Sequence, residues 1–319
     1  MSQTLLDLAA LRNTDREVGL IDENKTVAPE MTLLPTRGIE GVSYRTAVVS
    51  GQGAGGFRAI NAGVPTARAN VFTRLTECFP YEGPIKLDGL LQDASVGEIT
   101  DMEMLQASIV LKTAFQRLGA QVFQGTENLA AGFSGLKQFV PKVATAGASS
   151  IMVDATGTTA NTASSVYFVR SGLQDVHLVF GRNTTIQVSE FFDQMINDGA
   201  GGEYMGRVAS LKAWVGLAIG NTQCVGRILN LTAETGKGLT DALCARIMEQ
   251  FPTGYEPDLI FASRRSDAQL AASRPRTGYF QAGGARPGNT VAVTDYTAGN
   301  YQGIPIIRTD SITNTQAIE

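Results

Sequence analysis

VSYRTAVVSGQGAGGFRAINAGVPTARANVFTRLTECFPYEGPIK, residues 42–86, is the stretch whose reading decides the fold. Tyr44 to Val49 and Asn70 to Phe79 are rich in β-branched and aromatic residues and read as two strands. Between them stand Gly51, Gly53, Gly55, Gly56 and Gly63, which free the backbone but supply almost nothing to bury. A two-stranded ribbon is marginal in water, so a long tongue of this kind persists only where another surface covers it. The expected cover is an adjacent copy of the chain.

The same turn carries a competing reading. Gly51-Gln52-Gly53-Ala54-Gly55-Gly56 satisfies G-x-G-x-x-G after a strand, and Glu77 stands about twenty residues on, where a dinucleotide site places its ribose-binding acid. That chemistry needs a helix to begin at the last glycine, so that N-terminal amides meet the pyrophosphate. Phe57 to Asn61 leave barely one turn before Gly63 and Pro65, which favours a glycine-rich hairpin tip over a cofactor loop.

The chain has 319 residues, enough for one large or two ordinary domains, and 43% hydrophobic content supplies a core. Charged residues make up 18%, below the roughly 25% of an ordinary soluble domain, which fits a surface largely occupied by neighbours. The net charge of -4 provides no basic field for nucleic acid and no polybasic run for a membrane. Locally the balance is uneven. Residues 37–75 hold Arg37, Arg45, Arg58, Arg68 and Arg74 against Glu40. Residues 76–103 hold Glu77, Glu82, Asp88, Asp93, Glu98, Asp101 and Glu103 against Lys86. Two readings stay open: head-to-tail pairing with the next copy, or two solvated faces.

Cys78, Cys224 and Cys244 are an odd count without close spacing, which suits small buried apolar residues in a reducing compartment. The first residues lack the pattern of a signal peptide, and no run approaches the length of a membrane span.

Along the chain, residues 1–41 read as a tethered arm, with Leu5, Leu8 and Leu11 on a short amphipathic piece and Pro29 and Pro35 interrupting any helix. Ser95-x-x-Glu98 and Thr100-x-x-Glu103 are capping boxes. After them Met104, Ala107, Leu111, Ala114, Phe115, Leu118 and Val122 recur at helical spacing until Gly125, which predicts one long helix packed along that stripe. Strands are expected at 165–170, 176–180, 212–219, 224–231, 258–262, 290–295 and 304–308, with helices at 240–250 and 266–273.

Catalytic chemistry finds little support. His177 is the one histidine and sits in a strand-like run, so mechanisms that need a histidine pair are excluded and a structural role is expected. Gly132-Phe133-Ser134-Gly135 falls short of a nucleophile elbow. Gly236-Lys237-Gly238 lacks the leading glycine and the Ser/Thr of a phosphate loop. No catalytic, cofactor-binding or metal-binding residue is assigned, and no enzyme is expected.

The order of parts resembles the major capsid protein of tailed bacteriophages, with its Hong Kong 97-like α+β fold. The likeness rests on GLIDENKTVAPEMTLLP in the arm, SYRTAVVSGQGAGGFRAINAG in the tongue, and the Thr100–Phe123 helix ending in FQGT. FSGLKQF and the late YQGIPIIRTDSI complete it. The resemblance implies an N-terminal arm (1–41), an extended β-hairpin E-loop (42–88), a spine helix with peripheral-domain (P-domain) strands (89–231), and an axial domain (A-domain) block (232–319). It also implies self-assembly into pentamers and hexamers around double-stranded DNA, in a virion capsid assembled in the host bacterial cytoplasm. Scaffold, portal and decoration proteins are the implied partners, with packaged DNA touched non-specifically inside and no membrane. Arg45, Arg58 and Arg68, with Glu98, Asp101 and Glu103 as acceptors, are the expected inter-subunit contacts. A bacterial encapsulin-like nanocompartment shell is the alternative of the same fold.

Overall fold

The computed structural model describes residues 28–51, 55–63, 68–95, 102–143, 148–183, 185–274 and 299–319. In chain order its elements begin with α1 (Pro29–Leu33), β1 (Thr36–Gly38), β2 (Ser43–Gly51), β3 (Asn70–Glu77), β4 (Phe79–Asp88), α2 (Gly89–Ser95) and α3 (Met102–Gln124). Then come α4 (Leu136–Phe139), β5 (Met152–Asp154), β6 (Ser164–Val169), β7 (Val176–Phe180), β8 (Gln187–Val188), β9 (Phe192–Asn197) and β10 (Glu203–Ile219). The last are β11 (Val225–Leu231), α5 (Asp241–Met248), β12 (Leu259–Ala262), α6 (Arg264–Ser273), β13 (Asn300–Tyr301) and β14 (Ile304–Arg308). They form two compact units, one from residues up to 135 plus 172–221, the other from 136–171 plus 222–319.

The first unit is organised by β10, whose 17 residues carry neighbours on both sides. On one side β4 pairs antiparallel from Gly206↔Asp88 to Val215↔Phe79. On the other side β9, β8 and β7 pair with it in turn, and β1 lies parallel to β7. β4 contains Pro80 and Pro84 and is an edge strand, where a residue without an N–H costs nothing on the open side. Those prolines hid β4 from the sequence reading, which expected only its beginning. β9 and the first half of β10 were hidden too, because their burial is low and their apolar alternation is weak.

The long helix lies over β4 and β10, but the buried face differs from the expected stripe. Ala114, Leu118 and Val122 are buried as predicted, whereas Met104 is 73% exposed. At that end Met102 and Leu105 turn inward instead, against Leu87 and Leu91. The two ends of the helix meet different partners, so one uninterrupted stripe is not required. Gly125 ends the helix at φ 58°, a left-handed position that favours glycine. The capping boxes at 95–103 involve residues outside those described. Pro29 does not interrupt a helix; it opens α1, whose first turn needs no N–H there.

The second unit is a six-stranded sheet in the order β13-β14-β12-β6-β11-β5. One face packs Val166, Phe168, Ile228 and Ile260 beneath Ile247 and Leu270 of α5 and α6. Thr240 caps α5 and Ser263 caps α6, each hydroxyl accepting a backbone N–H three residues on. The expected blocks at 89–231 and 232–319 do not coincide with the two units. β11 pairs antiparallel with β6 and parallel with β5, which ties 152–169 and 225–231 to the later helix–strand block. The expected strand at 290–295 and the arm residues 1–27 lie outside the described residues.

Candidate inter-subunit surface

β2 and β3 form a two-stranded sheet to which no described strand adds. Their register runs from Ser43↔Glu77 to Val49↔Val71, with a bulge before Gly51↔Asn70. Alternation sorts the side chains onto two faces. Tyr44, Thr46 and Val48 share one face with Phe72, Arg74 and Thr76. Arg45, Ala47 and Val49 share the other with Val71, Thr73 and Leu75, and every one of these six is exposed. The ribbon therefore shows apolar side chains on both faces, and at its tip Phe57 and Ile60 are 110% and 93% exposed.

The root of the ribbon is fixed firmly. β3 passes into β4 through Cys78, whose N–H donates to the Val42 carbonyl at 2.8 Å. Tyr44 Oη lies 3.1 Å from His177 Nε2 on β7, and the Arg37 guanidinium covers the Tyr44 ring at 5.2 Å. Arg74 donates to the Ile219 carbonyl at 2.7 Å. Burial, aided by Arg37, holds His177 below the ordinary imidazole range, so it stays neutral and acts as an anchor. Gly216 of β10 admits the crossing chain, since a Cβ there would lie 2.4 Å from the Glu77 carbonyl oxygen.

The expected contact residues fall into three groups. Arg45 and Arg68 are exposed on the ribbon, and Arg58 is exposed at its tip with Nη1 donating to the Ala62 carbonyl at 3.2 Å. Among the described residues none of the three meets a carboxylate. Glu103 does not meet them either: its Oε1 accepts from Arg207 Nε of its own chain at 2.7 Å, and Arg207 also reaches Asp193 at 3.2 Å. Glu98 and Asp101 lie outside the described residues. Charge was the signal followed in choosing these positions, and it missed the apolar members Val49, Phe57, Ile60, Val71 and Leu75. The readable sign was a pair of strands with no consistently polar side.

A cavity of about 250 Å³ opens near the root, between β4 and the C-terminal half of α3. Phe79, Tyr81, Leu118, Leu129 and Phe133 give it apolar walls, with Glu82 and Arg117 also lining it. Its floor is set by Gln121, whose Nε2 donates to the Phe133 carbonyl at 2.7 Å and whose Oε1 accepts the Leu129 N–H at 3.1 Å.

The glycine loop has no helix behind it. Residues 55–59 lack regular structure and 60–61 form a turn, so no helix N-terminus stands at Gly56 to receive a pyrophosphate. The three cysteines are buried and form no disulfide, and burial pushes the Cys78 and Cys244 thiols up to about 11 and about 12. No helix among the described residues is long and apolar enough to cross a membrane.

The first unit is thus built on one long strand and carries an anchored ribbon that no described strand extends, with exposed apolar side chains on both faces. Comparison with solved structures gives the fold. A structure of bacteriophage Epsilon15 superposes with a TM-score of 0.69 at 16% identity, covering 99% of this chain and 97% of that one. The fold is Hong Kong 97-like. The chain belongs to the major capsid protein GP7 family, whose model matches residues 31–318. The procapsid of bacteriophage JBD30 is a more distant likeness, at TM-score 0.47 and 12% identity over 88% of this chain and 90% of that one. The SrpI encapsulin of Synechococcus elongatus is another, at 0.44 and 12% over 73% and 97%. Neither of these two bears on the choice between a virion and a nanocompartment. No curated protein matches the chain.

Proposed function

We propose that this chain is the structural subunit of a tailed-phage head, closing into pentamers and hexamers around double-stranded DNA, and that β2–β3 is its E-loop, laid over the next copy. The observation that supports this reading is the ribbon itself: two strands with exposed apolar side chains on both faces and, among the described residues, no third strand paired to them. In this reading the first unit is the P-domain with its arm and the second is the A-domain. Scaffold and portal proteins, and a decoration protein where the particle has one, are proposed assembly partners. DNA contact is non-specific and confined to the inner surface.

The cavity beside β4 is the proposed seat for a neighbour's tip. Eight residues of paired strand separate root from tip, a span of roughly 26 Å at about 3.3 Å per residue. A chain's own Phe57 therefore cannot enter a cavity beside its own residues 79–82 without dismantling the hairpin. A second copy's Phe57 and Ile60 suit its apolar walls, and Arg58 between them would meet Glu82. Each such contact is modest, and closure of the shell multiplies them. Arg58→Glu tests the pairing: it is expected to lower the particle yield seen by electron microscopy while the unassembled subunit melts as before. Normal shells from that variant would remove Arg58 from the interface.

A further inference from the structure

The second unit holds a charged cluster that the E-loop reading does not use. Arg227 on β11 is 2% exposed, with its guanidinium 5.9 Å from the centre of the Tyr167 ring. It donates to the Val140 carbonyl at 3.3 Å and to Ser165 Oγ through Nε and Nη2 at 3.1 and 2.9 Å. Its fork closes on the carboxylate of Glu319: Nη2 to Oε1 at 2.7 Å and Nη1 to Oε2 at 2.9 Å. Lys137, itself buried, adds a third contact to Oε1 at 3.3 Å.

The same residue is held by its backbone. Asn230, at φ 57°, accepts the Glu319 N–H at 3.1 Å and donates to the Glu319 backbone oxygen at 3.1 Å. Lys142 Nζ donates to that same oxygen and pairs with Asp154 at 3.0 Å. Amide, carbonyl and side chain are thus each recognised separately, which is how a binding site treats a ligand. The buried cation sets this pair apart from a surface ion pair, and the bidentate fork fits it to a planar carboxylate.

The geometry points to a carboxylate-binding socket formed by Arg227 and Lys137, in which Glu319 is a replaceable intramolecular ligand and which takes a free small carboxylate once that side chain is cut back. Glu319→Ala removes a CH₂–COO⁻ group and leaves the backbone contacts in place. The missing piece has the size and charge of acetate. No bond is made or broken; one carboxylate takes the seat of another. The site lies within the second unit and stands apart from the E-loop reading.

The test is thermal unfolding of unassembled protein in sodium acetate, sodium chloride and acetamide, the two salts at matched ionic strength. E319A is expected to melt about 10 °C below the parent in chloride, because a buried cation loses its partner. Acetate is expected to restore several degrees to E319A, saturably, since a ligand at ten times its Kd multiplies the folded-to-unfolded ratio about tenfold. Acetamide and chloride should not restore it, and acetate should leave the parent unmoved. Equal shifts of parent and variant, or equal effects of acetate and chloride, overturn the socket. If E319A does not fold in either salt, E319Q decides. That variant fills the same space without charge and is expected to melt lower than the parent at pH 7 and ignore acetate. Parent-like melting of E319Q at pH 7 overturns the proposal.

Discussion

Replacing Phe57 by alanine isolates the cost of leaving the ribbon tip unseated. The side chain touches nothing in its own chain, being fully exposed, so its loss leaves the folded subunit almost unaffected. A melting change of less than about 2 °C is expected for the unassembled protein. With the ring seated in a neighbour's cavity as proposed, burial of a side chain of this size contributes about 1.5–3 kcal/mol. Alanine keeps one carbon of it, so each contact loses about 2 kcal/mol. Every copy gives one tip and receives one, which makes that the loss per subunit. At 1.4 kcal/mol per factor of ten, the threshold concentration for assembly rises roughly 30-fold. Light scattering against protein concentration, with microscopy of the endpoint, measures it. An unchanged threshold refutes the seating of Phe57, and a large drop in subunit melting refutes the claim that the tip is free of its own chain.

Gly216→Ala is expected to destabilise the subunit by about 2–3 kcal/mol, because the added Cβ meets the backbone of Glu77 and Cys78 where the ribbon leaves the sheet; chemical denaturation of the unassembled protein measures it. Acid should weaken the second unit through Glu319. Burial alone would raise this carboxyl, but its hydrogen bonds and charge pairing with Arg227 and then Lys137 outweigh that and hold it below the usual carboxylate range. Its stabilisation is therefore complete above the unfolded value of about 4.3 and is lost as pH falls through the lower folded value. Asp154, which burial would raise, is likewise held low by the Thr156 amide, Asn230 and Lys142, and acts in the same direction. The melting gap between parent and E319Q should shrink from pH 7 to pH 3, and a gap that widens contradicts this assignment.

Much of this architecture is legible in residue patterns. Tyr44–Val49 and Asn70–Glu77 carry strand residues around a glycine tract, and their pairing follows directly. Thr240 before an apolar period and Gly125 after one mark helix ends by capping chemistry alone. What the sequence hides has physical reasons. β4 contains two prolines that are tolerable only on an edge, and edge position is a tertiary fact. Met104 and Leu105 are equally apolar, so only the identity of their neighbours decides which is buried. The domain division escapes a linear reading because the chain leaves the first unit at 136, returns to it at 172 and leaves it again at 222. At the interface, arginines drew attention through their charge, while the uncovered valines, Leu75, Phe57 and Ile60 needed the strand register before both faces could be seen as apolar. Arg227 and Glu319 lie 92 residues apart, and no local pattern announces their pairing.

The claim that the ribbon is completed by another copy is tested most directly by hydrogen exchange at the amides of Ser43–Gly51 and Asn70–Glu77, compared between unassembled subunits and purified particles. Slow exchange in particles, with fast exchange of the outward-facing amides in free subunits, is the predicted result. Equal protection in both states would mean that the chain covers its own ribbon, and the shell reading of that segment would fall.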